Sequence, residues 1–171
     1  MNQETYKMAH SVTAIILKNN YDSEKAKEFD LFAIPLGFGL SLFHIDHYYS
    51  ACWQHKLKTE GFLGLSNIEC SIFPSEMAIF EILKNISSLE RPEYAIILTD
   101  YFGGNGFQYA NVFLGNENAN ESVVSINQAL RYLGVTAKKN YDEFDTVGLD
   151  KIRRQPNYLE KYIKLANEYG V

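Results

Sequence analysis

The chain has 171 residues, enough for one domain with a sizeable core and too few for two comfortable ones. Its net charge of −5 argues against general nucleic-acid binding, which needs a basic surface to displace counterions from phosphates. Two cysteines, Cys52 and Cys70, are too few for a disulfide framework and read as buried thiols.

The N-terminal "MNQETYKMAH" lacks a basic start followed by an apolar stretch, so no signal peptide is expected, and residues 1–10 are expected to be disordered. No apolar run approaches the ~20 residues that span a bilayer. The expected compartment is therefore the cytoplasm, with no membrane partner. The first structured element is "SVTAIILK" (11–18), a β-branched run that predicts a strand buried on both faces. "SEKAKEF" (23–29) supports one or two helical turns. "PLGFGLSLFHI" (35–45) alternates so that Phe38, Leu40, Leu42 and His44 share a face, which predicts a second strand.

Asp46 is a fitting N-cap for a helix over 46–58 whose Tyr49, Cys52, Trp53 and Leu57 fall on one side. His47 and His55 then lie on the opposite side, about 12 Å apart along the axis at ~1.5 Å per residue. With His44 on the preceding strand, these groups do not converge as a zinc site requires, and no metal or other cofactor is expected. "SNIECSIFP" (66–74) predicts a strand, and Ser75 is the expected cap of a helix bearing Ile79, Ile82, Leu83 and Ile86 at i, i+3, i+4 and i+7.

"EYAIILTDY" (93–101) and "FQYANVFLG" (107–115) predict two strands around the loop "FGGNG". A phosphate-binding glycine loop leads into a helix N-terminus, whereas this one leads into a strand, and its spacing matches no nucleotide-binding pattern. Glycine and asparagine tolerate the positive φ of a tight reversal, so the expectation is a central antiparallel hairpin. Tyr101, Phe102 and Phe107 flank its turn, either packed back on the sheet or offered as contact anchors.

"NENANE" (116–121) reads as a flexible loop. "SINQ" (125–128) has the form of a capping box for a helix carrying Ile126, Ala129, Leu130 and Leu133 and ended by Gly134. "YDEFDTVG" (141–148) predicts a shorter helix with Tyr141 and Phe144 inward and Asp142, Glu143 and Asp145 outward. Those acids serve the helix N-terminus or form a surface for a basic protein. Pro156 opens a last helix with Leu159, Tyr162, Ile163 and Ala166 on its apolar face.

The expectation is one α+β domain over 1–171, with a mainly antiparallel or mixed sheet covered by four to five helices. At "YFGGNGFQ", "INQALRYLGV" and "YDEFDTVGLDKIR" the chain resembles small bacterial proteins found beside polymorphic toxins, where such neighbours act as immunity proteins. The resemblance spans 94–154 and implies a cytoplasmic inhibitor with a protein partner. Joined to the acidic balance, it makes a non-enzymatic binding protein the first reading, with a basic toxin domain as partner and homo-oligomerisation compatible with it. Asp142, Glu143, Asp145, Tyr101 and Phe102 are the candidate contact residues. The alternative is a small enzyme assembled from separated residues around Asp100 and His44, although no catalytic motif is present.

Overall fold

The computed structural model describes residues 9–171. The apolar β-branched run near the N-terminus forms β1 (His10–Leu17), and "AIIL" lies in β4 (Glu93–Phe102); these two pair antiparallel along their length at the middle of the sheet. The remaining strands are β2 (Ile34–Gly37), β3 (Leu40–His44), β5 (Asn105–Leu114) and the two-residue β6 (Glu117–Asn118). The sheet order is β2-β3-β1-β4-β5-β6, and every paired neighbour is antiparallel.

Both faces of this sheet are covered, which is why β1 and β4 read as unbroken apolar runs. Ile15, Leu17, Phe43, Ile96, Leu98 and Phe113 point to one face. That face packs against α1 (Ser23–Glu28), α2 (His47–Leu57), α3 (Ala78–Ser87) and α6 (Lys161–Tyr169). Val12, Ala14, Ile16, Leu42, Ile97 and Val112 point to the other, beneath α4 (Ile126–Tyr132) and α5 (Glu143–Thr146). Ile15, Ile16, Leu17, Ile96, Ile97 and Leu98 are at most 1 % exposed. Each contributes ~1.5–3 kcal/mol relative to an exposed side chain. The result is a single-domain α+β fold with six α-helices among the described residues.

Local signals are realised where local chemistry suffices. Asp46 caps α2, accepting the Tyr49 N–H at 2.7 Å. Ser125 and Gln128 close the expected capping box on α4. Ile79, Ile82, Leu83 and Ile86 are buried on α3.

Several expectations are corrected. His10 opens β1 and is buried, so the disorder expected of residues 1–10 does not hold there; residues 1–8 lie outside the described residues. The segment 35–45 is a hairpin rather than one strand, because Phe38 (φ 54°) and Gly39 (φ 71°) reverse the chain and leave Phe38 exposed. Residues 66–74 make no strand; they form a loop pinned over the sheet, where the buried Asn111 accepts the Ser66 N–H at 2.8 Å. Ser75 caps nothing, since α3 starts at Ala78 without a side-chain cap. The loop 116–121 contains β6, and Leu57 and Ile163, expected on apolar faces, are exposed. Cys52 is buried as expected, while Cys70 is only half-buried; both are free thiols.

Candidate functional site

The β4–β5 hairpin closes with the pair Phe102–Asn105 around Gly103 and Gly104. Both glycines sit in the left-handed region, φ 58° and 85°, the geometry of a tight two-residue turn whose twist matches that of the strands. The glycine cluster therefore reverses the chain. Gly106 has a separate role: a Cβ there would lie 2.0 Å from the Asp100 carbonyl oxygen, so only glycine permits that close strand approach.

Alternation along the hairpin divides its side chains between the faces. Asp100, Phe102, Phe107 and Tyr109 lie on the α2–α3–α6 side, whereas Tyr101 and Gln108 lie on the α4–α5 side. On the first side, the loop after α2 covers Asn111 and reaches Tyr109, whose hydroxyl donates to the Glu69 carbonyl at 3.5 Å. The cover stops there. Phe107 remains 41 % exposed and Phe102 80 % exposed. On the second side, Gln108 Nε2 donates to the Tyr101 hydroxyl at 3.4 Å, and Gln108 Oε1 accepts the Ile126 N–H at 2.9 Å. Tyr101 and Phe102, adjacent in sequence, thus belong to different surfaces.

The acidic helix is held by its own polar chemistry. Asp142 caps α5, accepting the Asp145 N–H at 2.8 Å and the Asn127 amide at 3.0 Å. Asn127 Oδ1 in turn accepts the Phe144 N–H at 2.9 Å, which fixes α5 to α4. Glu143 does not point outward: it is buried and accepts from Arg131 Nε at 2.9 Å. The Arg131 guanidinium holds its carboxyl below the usual carboxylate range. Asp145 is exposed, and burial together with the charges of Asp142 and Asp150 pushes its pKa up. Tyr141, expected inward, is 60 % exposed, because a four-residue helix presents only Phe144 to the core. Beside α5 lies an open hollow with Lys138 and Lys151 as well as Asp145 and Asp150, so the patch is of mixed sign.

The strand register separates the pair on which an enzyme reading would depend. Asp100 pairs with Ser11, and His44 with Ala14, so their side chains leave opposite faces of the sheet. His44 is buried, with Nδ1 2.9 Å from Gln155 Oε1. Burial pushes its pKa down, and the Gln155 hydrogen bond pulls partly back. Along α2, the His47 ring lies on Tyr48 and His55 stacks on Tyr169 at 4.4 Å. Cys52 of the same helix is buried against α6, its thiol pushed up by burial. Among the described residues, no three His, Cys, Asp or Glu side chains are grouped to hold a metal ion.

Two polar centres carry no signal in the sequence. His10 lies between strand and loop, with Nδ1 2.6 Å from Thr99 Oγ1 and Nε2 2.9 Å from the Leu149 carbonyl. A carbonyl can only accept, so Nε2 donates to Leu149. The second centre is Asp30, which accepts from the Tyr162 hydroxyl at 2.5 Å and from Lys161 Nζ at 2.7 Å. Burial opposes its ionisation, but Lys161 and Tyr162 outweigh that and hold the carboxyl low. Trp53 Nε1 donates to the same Tyr162 oxygen at 3.1 Å. These bonds brace α6 against α2 and the turn after α1.

Compared with protein-family models, with curated proteins and with solved structures, the chain matches none. Among the described residues no helix is long and apolar enough to cross a membrane.

Proposed function

We propose that this chain is a non-enzymatic binding protein of the cytoplasm that covers a basic protein partner, in the manner of an immunity-type inhibitor masking a toxin domain. The observation that carries the reading is the hairpin tip, where Phe102 and Phe107 stand exposed on one face with Asp100 beside them. Large aromatics concentrated at a projecting point are poor investments in solvation and strong anchors once desolvated by a partner. The exposed carboxylates of Asp142 and Asp145, on the other side of the sheet, would contribute mainly to encounter with a basic surface. Glu143 is removed from that set by its pairing with Arg131.

The enzyme reading around Asp100 and His44 has lost its geometric basis, because the two side chains leave opposite faces. The test is co-expression with the product of the adjacent reading frame, scored by growth and by isolation of a 1:1 complex. In that complex Phe102→Ala should speed dissociation about tenfold or more, as loss of an aromatic anchor does. A complex indifferent to Phe102 would place the contact surface elsewhere. Turnover of a small molecule abolished by Asp100→Asn would place the chain in the wrong class altogether.

A further inference from the structure

Among the described residues the edge of β5 is open beside the tip, as is that of β2 at the far side of the sheet. Along β5 the outer edge is covered from Ala110 onward: Ala110 N–H donates to the Val124 carbonyl at 3.1 Å, the Val112 carbonyl accepts from Ala119 at 2.9 Å, and β6 pairs with Phe113 and Leu114. Antiparallel ladders alternate inward- and outward-facing backbone pairs. Because Ala110 faces outward, Gln108 and Gly106 face outward too. Among the described residues no backbone group pairs with theirs across that edge. The strand between them is uncharged, "GFQ", with the Phe107 and Tyr109 rings 5.6 Å apart on one face.

The segments that build this edge carry acids and no bases of their own. No lysine, arginine or histidine occurs between Lys58 and Lys84, or between Arg91 and Arg131. Those two segments supply the loop over Asn111, the hairpin, β6 and the segment that covers β5. Their exposed acids include Glu69, Asp100 and Glu121. Arg153 and Arg154 run along the opposite side of β1, two strands away.

We infer that the free edge of β5 at Gly106–Gln108 accepts an extended, basic segment of a partner protein as an added strand. This deepens the binding-protein reading and rests on it for the partner's existence. Main-chain hydrogen bonds to Gly106 and Gln108 supply the pairing, Phe107 and Tyr109 pack against alternate side chains of the incoming strand, and the acids select lysine or arginine in it. A second copy of this chain is disfavoured as occupant, since edge-to-edge pairing would set Asp100 and Glu69 of each copy near the same acids of the other.

The experiment is amide hydrogen exchange of the full chain, read by NMR, with a capped hexapeptide alternating lysine and threonine and with its glutamate counterpart. The lysine peptide should slow exchange at Gly106 and Gln108 about tenfold or more, and the glutamate peptide should leave it unchanged. Glu69→Lys combined with Asp100→Lys, both exposed positions, should invert that preference while the β1 and β4 amides keep their protection. No slowing with the lysine peptide, or equal slowing with both peptides, would overturn the inference. So would slowing that grows with protein concentration in the absence of peptide, because the edge would then be pairing with itself. The two readings fail separately. A growth-protecting complex weakened by Phe102→Ala but lacking protection at Gly106 and Gln108 would sink strand addition alone. Protection by the lysine peptide without any inhibitory complex would sink the inhibitor alone.

Discussion

Gln155 closes the gap left where β3 departs from β1. Its Oε1 accepts the Thr13 N–H at 3.2 Å and faces His44 Nδ1 at 2.9 Å, while its Nε2 donates to the Ile45 carbonyl at 2.5 Å. An acceptor oxygen requires the proton of the neutral His44 ring to sit on Nδ1. Burial holds the His44 pKa below the ordinary histidine value, with the Gln155 bond opposing that shift in part. The sign follows directly. Within the window between folded and unfolded pKa, the unfolded chain binds more protons, so stability falls as pH drops through the histidine range and levels off below the folded value. Denaturant titrations of wild type and His44→Gln between about pH 8 and about pH 5 should show a steeper acid-side loss in the wild type. Parallel curves would mean that His44 is charged at no cost. Tyr94 illustrates the opposite outcome of burial: among the described residues its hydroxyl has no hydrogen-bond partner, and burial pushes its pKa up.

The hairpin separates two uses of glycine that look alike in "FGGNGF". Gly103 needs only a left-handed backbone, with open space around it, so Gly103→Ala should cost about 1–2 kcal/mol and keep the ladder. Gly106→Ala places a methyl against the Asp100 and Tyr101 backbone, which must splay the strands. Cross-strand NOEs between Tyr101 and Gly106 should vanish in that variant while those below Thr99 persist; an intact tip would show that the approach is not obligatory. Such local demands are what a sequence displays well. The apolar run of β1, the α3 stripe, the Ser125–Gln128 box and the Asp142 cap each depend on residues within a few positions of one another. What was not legible depends on partners far along the chain. The ring of His10 is fixed by Thr99 and Leu149, and Glu143 is turned inward by Arg131 across the α4–α5 corner. Ile68, Ile72 and Phe73 favour a strand, yet from Ala110 onward the outer side of β5 is already filled by β6 and residues 119–124. The faces of Asp100 and His44 follow from the β3–β1–β4 register, which neither strand alone determines.

The sheet acts as a partition for function as well as for the core. Phe102 and Phe107 belong to the side covered by α2, α3 and α6, whereas Tyr101, Asp142 and Asp145 belong to the side covered by α4 and α5. A partner seated on the tip therefore meets aromatic anchors at close range and feels the α5 carboxylates only through their field. That field decays over about 8 Å at physiological ionic strength. Asp142→Asn with Asp145→Asn keeps the cap, since asparagine caps as well as aspartate, and removes two exposed negative charges. This pair should slow association at low salt, lose its effect as salt rises, and leave folding intact. Phe102→Ala should instead hasten dissociation at every salt concentration. Because the two sets lie across the sheet from each other, their effects should add to within about 0.5 kcal/mol in a double-mutant cycle on the isolated complex. A coupling above about 1 kcal/mol would mean that one partner element touches both faces at once, wrapping the hairpin rather than extending its edge.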